Sequence, residues 1–170
     1  QMDRYTLTPK PLTAEAFAPF GDVVQCDGNT PMMINDGNTE RYHNLVSTEV
    51  ENADDKIIIN IFRAQPRSLP MTICMMERHP KGSQSFQPLS GEEYLVLVGD
   101  PVEDLKPENL HLFLATKDQG VNYRKNTWHH PVLGLHKVCD FLVVDRLGEG
   151  YNCEEIYFGD NINIEITLEL

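Results

Sequence analysis

The strongest constraint on the fold is a period of two. From Asp22 onward, Ile57 to Ala64, Met71 to His79, Tyr94 to Val98, Leu110 to Ala115 and Lys137 to Arg146 form short apolar runs separated by Gly, Pro and Asn, the signature of mostly antiparallel β structure. Ile162, Ile164, Ile166 and Leu168 alternate with Asn163, Glu165, Thr167 and Glu169, which predicts a C-terminal strand with one buried and one wet face. Only Thr13 to Gly21 reads as helix. Thr13 can cap it, Glu15 suits its first turn, Pro19 marks its end and Gly21 can terminate it. Gly99 to Asn109 is rich in Pro, Asp and Glu and lacks periodicity, so it reads as a surface connection with one helical turn. No linker, repeat or low-complexity tract interrupts the chain. Residues 1–170 are therefore expected to be one domain, of a length at which 41% apolar residues suffice for a core. Many short strands suggest a sandwich or barrel, and a barrel mouth is where a small ligand would sit.

Charge and composition narrow the partners. A formal net charge of −12 leaves no electrostatic footprint for phosphate backbones or anionic lipid, so neither nucleic acid nor a membrane surface is expected. The longest apolar run, Tyr94 to Val98, falls far short of the roughly 18 residues of a membrane-spanning helix. Gln1-Met2-Asp3-Arg4 has no apolar leader character, and a cytoplasmic location is expected. Cys26, Cys74, Cys139 and Cys153 are scattered, with no Cys-x-x-Cys pair, and read as reduced thiols that mostly serve packing. Gly-x-Gly-x-x-Gly, Gly-Lys-Ser/Thr and Gly-x-Ser-x-Gly are all absent, so neither a nucleotide cofactor nor a serine nucleophile is expected.

Two clusters carry the chemistry. The first is Glu77-Arg78-His79-Pro80 with Gln84-Ser85-Phe86-Gln87-Pro88 and Gly91. Strand alternation puts Glu77 and His79 on one face behind Ile73 and Met75, where an acid and an imidazole need partners or a ligand. The second is Asn122 to Pro131, in which His129 and His130 follow the single tryptophan, Trp128. Arg63 continues the face of Ile57, Ile59 and Ile61; it either points into a barrel mouth or snorkels to water. Arg41 and His43 share a face that reaches either a pocket or an interface between copies. Arg78 alternates away from Glu77 and suits a structural or interface role. Asp140 lies in an apolar strand and needs a partner, for which a site histidine is a candidate. Asp145 and Arg146 suggest a local ion pair. Tyr123 and Trp128 suit core or pocket wall.

The spacing Glu77-x-His79, four residues, Gln84, six residues, Gly91, with His129 closing the second cluster, resembles the two motifs of the cupin superfamily. Glu77 stands where that pattern has a His and Gln84 where it has a Glu. The resemblance implies a cupin-type antiparallel β-barrel with a short N-terminal helix and a weak divalent-metal site of Glu77, His79, Gln84 and His129. A closer resemblance covers nearly the whole chain: Ile34-Asn35-Asp36-Gly37 with Arg41-Tyr42-His43, Arg63-Ala64-Gln65-Pro66, Glu77-Arg78-His79-Pro80, Gln84-x-Phe86-x-Pro88, Gly120-Val121-Asn122-Tyr123, Trp128-His129-His130-Pro131 and Asp145-Arg146 are similar in order and spacing to the ureidoglycolate lyase family. That resemblance implies a homodimer that splits ureidoglycolate into glyoxylate and urea in allantoin nitrogen catabolism. It also tips Arg63 toward the site.

The chemistry sets requirements. The substrate carboxylate needs a clamp, best met by an arginine fork, for which Arg63 is the candidate with Arg41 or Arg146 as substitute. Gln84, Tyr123, Trp128 and Asp140 complete the expected substrate-binding set. The carbinol proton needs a base, and His79, His129 and Glu77 are the candidates. No cofactor is required by this scheme, although the ligand set could hold a metal weakly. Two other classes remain open at this level: a metal-dependent cupin oxygenase or isomerase for a small hydroxy or keto acid, and a noncatalytic carboxylate-binding cupin.

Overall fold

A computed structural model describes residues 1–169. The chain is mostly β, with one short helix and one 3-10 turn at Pro107–Asn109. Five strands form the first sheet, in the order β3 (Gly21–Val24), β12 (Gly120–Tyr123), β9 (Gln84–Pro88), β14 (Cys139–Leu147) and β6 (Lys56–Ala64). A second sheet has the order β13 (Leu133–Gly134), β10 (Tyr94–Gly99), β11 (Leu110–Ala115) and β2 (Lys10–Pro11). The third joins β1 (Asp3–Leu7), β16 (Ile162–Ile166) and β7 (Met71–Thr72). Two pairs complete the set: β8 (Met75–Arg78) with β15 (Glu154–Tyr157), and the hairpin β4 (Met32–Ile34) with β5 (Thr39–Arg41).

The mostly β class and the short N-terminal helix are as expected. Among the described residues the sheets do not close into a single hydrogen-bonded barrel, and β1–β16 and β2–β11 are parallel pairs. β10 lies between two cores. Its residues are buried on both faces, which is why Tyr94 to Val98 reads as continuous rather than alternating hydrophobicity. Tyr94, Val96 and Val98 pack with Phe86, Val121, Phe141 and Val143 of the five-stranded sheet. Leu95 and Leu97 pack on the other side with Ile164 and Ile166 of β16. The second sheet thus divides two cores. The C-terminal strand is present as expected, with Ile164 and Ile166 fully buried, although Leu168 lies beyond its end and is exposed.

Local signals explain the single helix. α1 (Ala14–Phe17) is capped by Thr13, whose Oγ1 accepts the Ala16 N–H at 3.1 Å. Ala18 is its C-terminal cap; Gly21 does not terminate it but opens β3, where a Cβ would collide with the Asn122 carbonyl.

Arg146 does not pair with its neighbour Asp145 as the sequence suggests. It turns to the outer side of β14 and forms a bidentate pair with Asp55 at 2.6 and 2.9 Å, both side chains at most 2% exposed. Asp55 also accepts the N–H groups of Glu51 and Asn52, and Arg146 donates to the Glu149 carbonyl at 2.6 Å. Gly148 passes so close that a Cβ would overlap the Asp55 carboxylate. The pair therefore ties the 49–55 segment to the start of the 148–153 segment.

Hydrogen bonding from Arg146 holds the Asp55 carboxyl well below the usual carboxylate range, against burial, which acts in the opposite direction. A lowered folded-state pKa adds stability that is complete above the unfolded value of about 3.9 and disappears as pH falls through the folded-state value. Asp55→Asn is expected to melt at lower temperature at pH 7 and to lose less further stability between pH 4 and pH 2 than the wild type. Thermal melts followed by circular dichroism check this; parallel pH profiles would rule the pair out as a source of acid sensitivity.

Candidate active site

The site is assembled by a main-chain bridge. The His129 N–H donates to the Glu77 carbonyl at 2.8 Å and the Glu77 N–H to the His129 carbonyl at 2.9 Å, so the two side chains share a face. The opposite edge of the same segment bonds to β10 through Gly99 N–H to Trp128 carbonyl, 2.9 Å, and His130 N–H to Leu97 carbonyl, 3.0 Å. A turn aims the segment. Thr127 N–H returns to the Arg124 carbonyl, Asn126 adopts φ 65°, and Asn126 N–H donates to the His79 carbonyl at 3.0 Å. Asparagine tolerates that left-handed conformation better than most residues.

Glu77, His79 and His129 converge, with potential ligand atoms all within 4.8 Å of one another. His79 Nδ1 lies 2.7 Å from the Asn152 carbonyl and His129 Nδ1 3.0 Å from the Thr127 carbonyl. A carbonyl oxygen can only accept, so each proton sits on Nδ1 and each Nε2 is a bare lone pair. Both Nε2 atoms are buried without a hydrogen-bond partner. The nearest Glu77 oxygen is 3.8 Å from His129 Nε2, beyond hydrogen-bond reach. Two buried lone pairs beside a carboxylate, with no donor between them, form a donor set that a divalent cation fits. Burial first, then the adjacent His79, pushes the His129 pKa down to about 3, so the ring is neutral. Tyr123 stacks on it at 4.2 Å and 7°. Its phenol is raised by burial and then by Glu77, which makes it a wall rather than a proton source.

Of the three, His79 borders a cavity of about 340 Å³ that is lined by His79, Gln84 and Asp145 on the strand side and by Tyr151, Asn152 and Cys153 on the loop side. The Cys153 thiol donates to Glu77 Oε2 at 3.4 Å. Burial, and then the Glu77 carboxylate, raises its pKa to about 11, so it stays a thiol. Asn152 is fixed in turn, its Oδ1 accepting the Lys81 N–H at 2.6 Å.

Several expected residues lie elsewhere. Arg63 and Asp140 bond each other at 2.8 and 3.1 Å on the outer face of the five-stranded sheet, with Arg63 exposed. The face of Ile57, Ile59 and Ile61 is the outer face, not the inner one, and Asp140 orients no histidine. Arg41 stands exposed on the β4–β5 hairpin and does not border the cavity. Trp128 alternates away from His129 into the second core, its indole N–H donating to the Val102 carbonyl at 2.8 Å. Arg78 lies 4.4 Å over that ring and bonds Glu103 and Glu154, the structural role expected of it. His130, too, is buried. Gln84 borders the cavity, with its amide directed to Asp145. Asp145 was missed as a site residue, yet Cys139, Phe141 and Val143 share its strand face, and that alternation places it inward.

A family model described as ureidoglycolate lyase matches residues 4–165. The ureidoglycolate lyase of Pseudomonas syringae pv. tomato is 52% identical over 157 residues, covering 92% of each chain. That of Brucella anthropi is 50% identical over 163 residues, 95% of this chain and 96% of the relative. That of Rhizobium etli is 52% identical over 149 residues, 88% and 89% respectively.

The cluster predicts a binding result. His79→Ala or His129→Ala is expected to weaken cobalt(II) binding, followed by visible absorption, by more than about tenfold. Trp128→Phe, on the far side of the segment, should leave it unchanged. Equal affinities in all the variants would show that the imidazoles do not form the cation site.

Proposed function

We infer that this chain, which belongs to the ureidoglycolate lyase family, cleaves ureidoglycolate to glyoxylate and urea in the recovery of purine nitrogen through allantoin. The observation that carries this reading to particular atoms is the pair of unpartnered Nε2 lone pairs beside the Glu77 carboxylate. Glu77, His79 and His129 would hold a divalent cation, weakly, because three protein donors are a small set. When bound, such an ion supplies a Lewis acid for the carbinol oxygen and positive charge for the substrate carboxylate. Among the described residues no arginine or lysine borders the cavity, so that charge has to come from outside the lining.

Cleavage moves one proton and two electron pairs along the carbinol. The O–H proton leaves, its bonding pair forms the aldehyde C=O, and the C–N bond breaks with its pair on nitrogen, which takes up a proton. We assign the acceptor to Glu77, because the Nδ1 atoms of His79 and His129 are committed to backbone carbonyls and their Nε2 atoms would be the ligands of a cation. Besides any role as a ligand, a carboxylate has lone pairs with which to take up the proton. The same group can return that proton to the departing nitrogen, with no nucleophilic intermediate. The lyase relatives disfavour an oxygenase, an isomerase or a noncatalytic sensor.

On this reading the two facing sheets are the halves of a cupin-type fold, which packs two sheets around a site. We also assign the outer face of the five-stranded sheet to a second copy of the chain. Ile59 and Ile61 on edge strand β6 are 70% and 55% exposed. A nine-residue apolar strand with a free edge invites a partner. No described helix is long and apolar enough to cross a membrane. The four cysteines are unpaired, in keeping with a reducing cytoplasm.

Incubation with racemic ureidoglycolate is expected to yield glyoxylate and urea in equal amounts with no ammonia. Glu77→Gln should lower turnover about 10²- to 10⁴-fold, and dialysis against a chelator should lower it reversibly. Ammonia as product would mean amidohydrolysis instead. For the assembly, Ile59→Glu is expected to convert a dimer into a monomer in sedimentation velocity; an unaltered sedimentation coefficient would place the partner on another face.

A further inference from the structure

We propose that Asp145 recognises the ureido end of the substrate by accepting its N–H groups, an inference that rests on the lyase reading. Asp145 faces the cavity from β14, directly across from Gln84 on β9. Its Oδ1 accepts the Asn60 amide at 3.0 Å and its Oδ2 the Gln84 amide at 3.1 Å. Asn60 is anchored as well, its amide lying 3.3 Å from the Val143 carbonyl. Each carboxylate oxygen is thus gripped once by a neutral donor, and each keeps a further lone pair.

What makes this acid unusual is the absence of a cation. No salt bridge reaches Asp145 among the described residues, and the adjacent arginine, Arg146, is on the other face, committed to Asp55. A half-buried carboxylate that borders a cavity and is steadied only by amides still has acceptor capacity to offer. Of the three groups on the substrate's central carbon, the carboxylate is repelled by Asp145 and only the ureido group carries several N–H donors. Its paired N–H groups match the two oxygens of a carboxylate held in a fixed plane. Asp145 therefore sets the direction in which the substrate lies, with the ureido group toward β14 and the carboxylate toward the histidine end of the cavity. The reacting C–N bond is placed between them.

A purely structural role, clamping β6, β9 and β14 together, makes a different forecast. Asp145→Asn and Asp145→Ala, each shown by circular dichroism to be folded, are to be compared with the wild type in product inhibition by urea and by glyoxylate. Loss of a hydrogen bond to a charged group predicts a rise of about tenfold or more in the urea inhibition constant, with the glyoxylate constant unchanged. A second measurement needs only the wild type. Acetone has the shape of urea without its N–H groups, and it is expected to inhibit at least about tenfold more weakly. An unchanged urea constant, a parallel rise in both constants, or inhibition by acetone equal to that by urea would overturn the assignment. Wild-type enzyme that makes no glyoxylate and urea from ureidoglycolate would instead overturn the lyase reading on which it rests.

Discussion

Two main-chain hydrogen bonds between Glu77 and His129 are the constraint on which the site depends. They join the end of β8 to a segment far along the chain, and so put an acid and an imidazole on one face at close range. The remaining geometry follows from what each ring is allowed to do. Backbone carbonyls of Asn152 and Thr127 take the Nδ1 protons, which leaves both Nε2 lone pairs turned inward with nothing to accept from. Left so, two buried acceptors and a carboxylate are unfavourable neighbours, and a cation held there would offset that cost.

The 128–130 segment also shows how one short stretch serves two cores. Trp128 packs on the side of β16, where it bonds Val102 and supports Arg78, while His129 turns to Tyr123 and His79. Because the segment lies along β10, which is buried on both faces, the two side chains cannot exchange places without setting an imidazole in the apolar second core and removing it from Glu77 and His79. Rigidity at the histidine thus comes from packing behind it rather than from the cavity side, which is formed by the 150–153 loop.

Charge is distributed by the same alternation along β14. Asp140 and Arg146 face outward, the first to Arg63 at the surface and the second to a buried Asp55, while Asp145 faces inward without a cation. Arg63, Arg78, Arg124 and Arg146 are committed to ion pairs, and among the described residues no arginine borders the cavity. An anionic substrate in such a cavity is steered as much by what repels it as by what attracts it.

Short-range pattern in the sequence was enough for the β class, the capped helix at Thr13, the C-terminal strand and the pairing of Glu77 with His79, because alternation and capping depend only on neighbours. The motif order, likewise readable, pointed to His129 and to the family. What alternation alone leaves undetermined is which of two faces looks inward. For β6 the more apolar face, Ile57, Ile59 and Ile61, turned out to be the outer one, and Arg63 went with it. The inner face carries Ile58, Asn60 and Phe62, with Phe62 against Phe86 and Asn60 against Asp145. Likewise the ion partner of Arg146, the tautomers of His79 and His129, and the place of Asp145 depend on residues distant in the chain. Only the tertiary structure decides them, because hydrogen-bond partners and burial are set by which strands meet, and local sequence carries no record of the strand that will lie across from it.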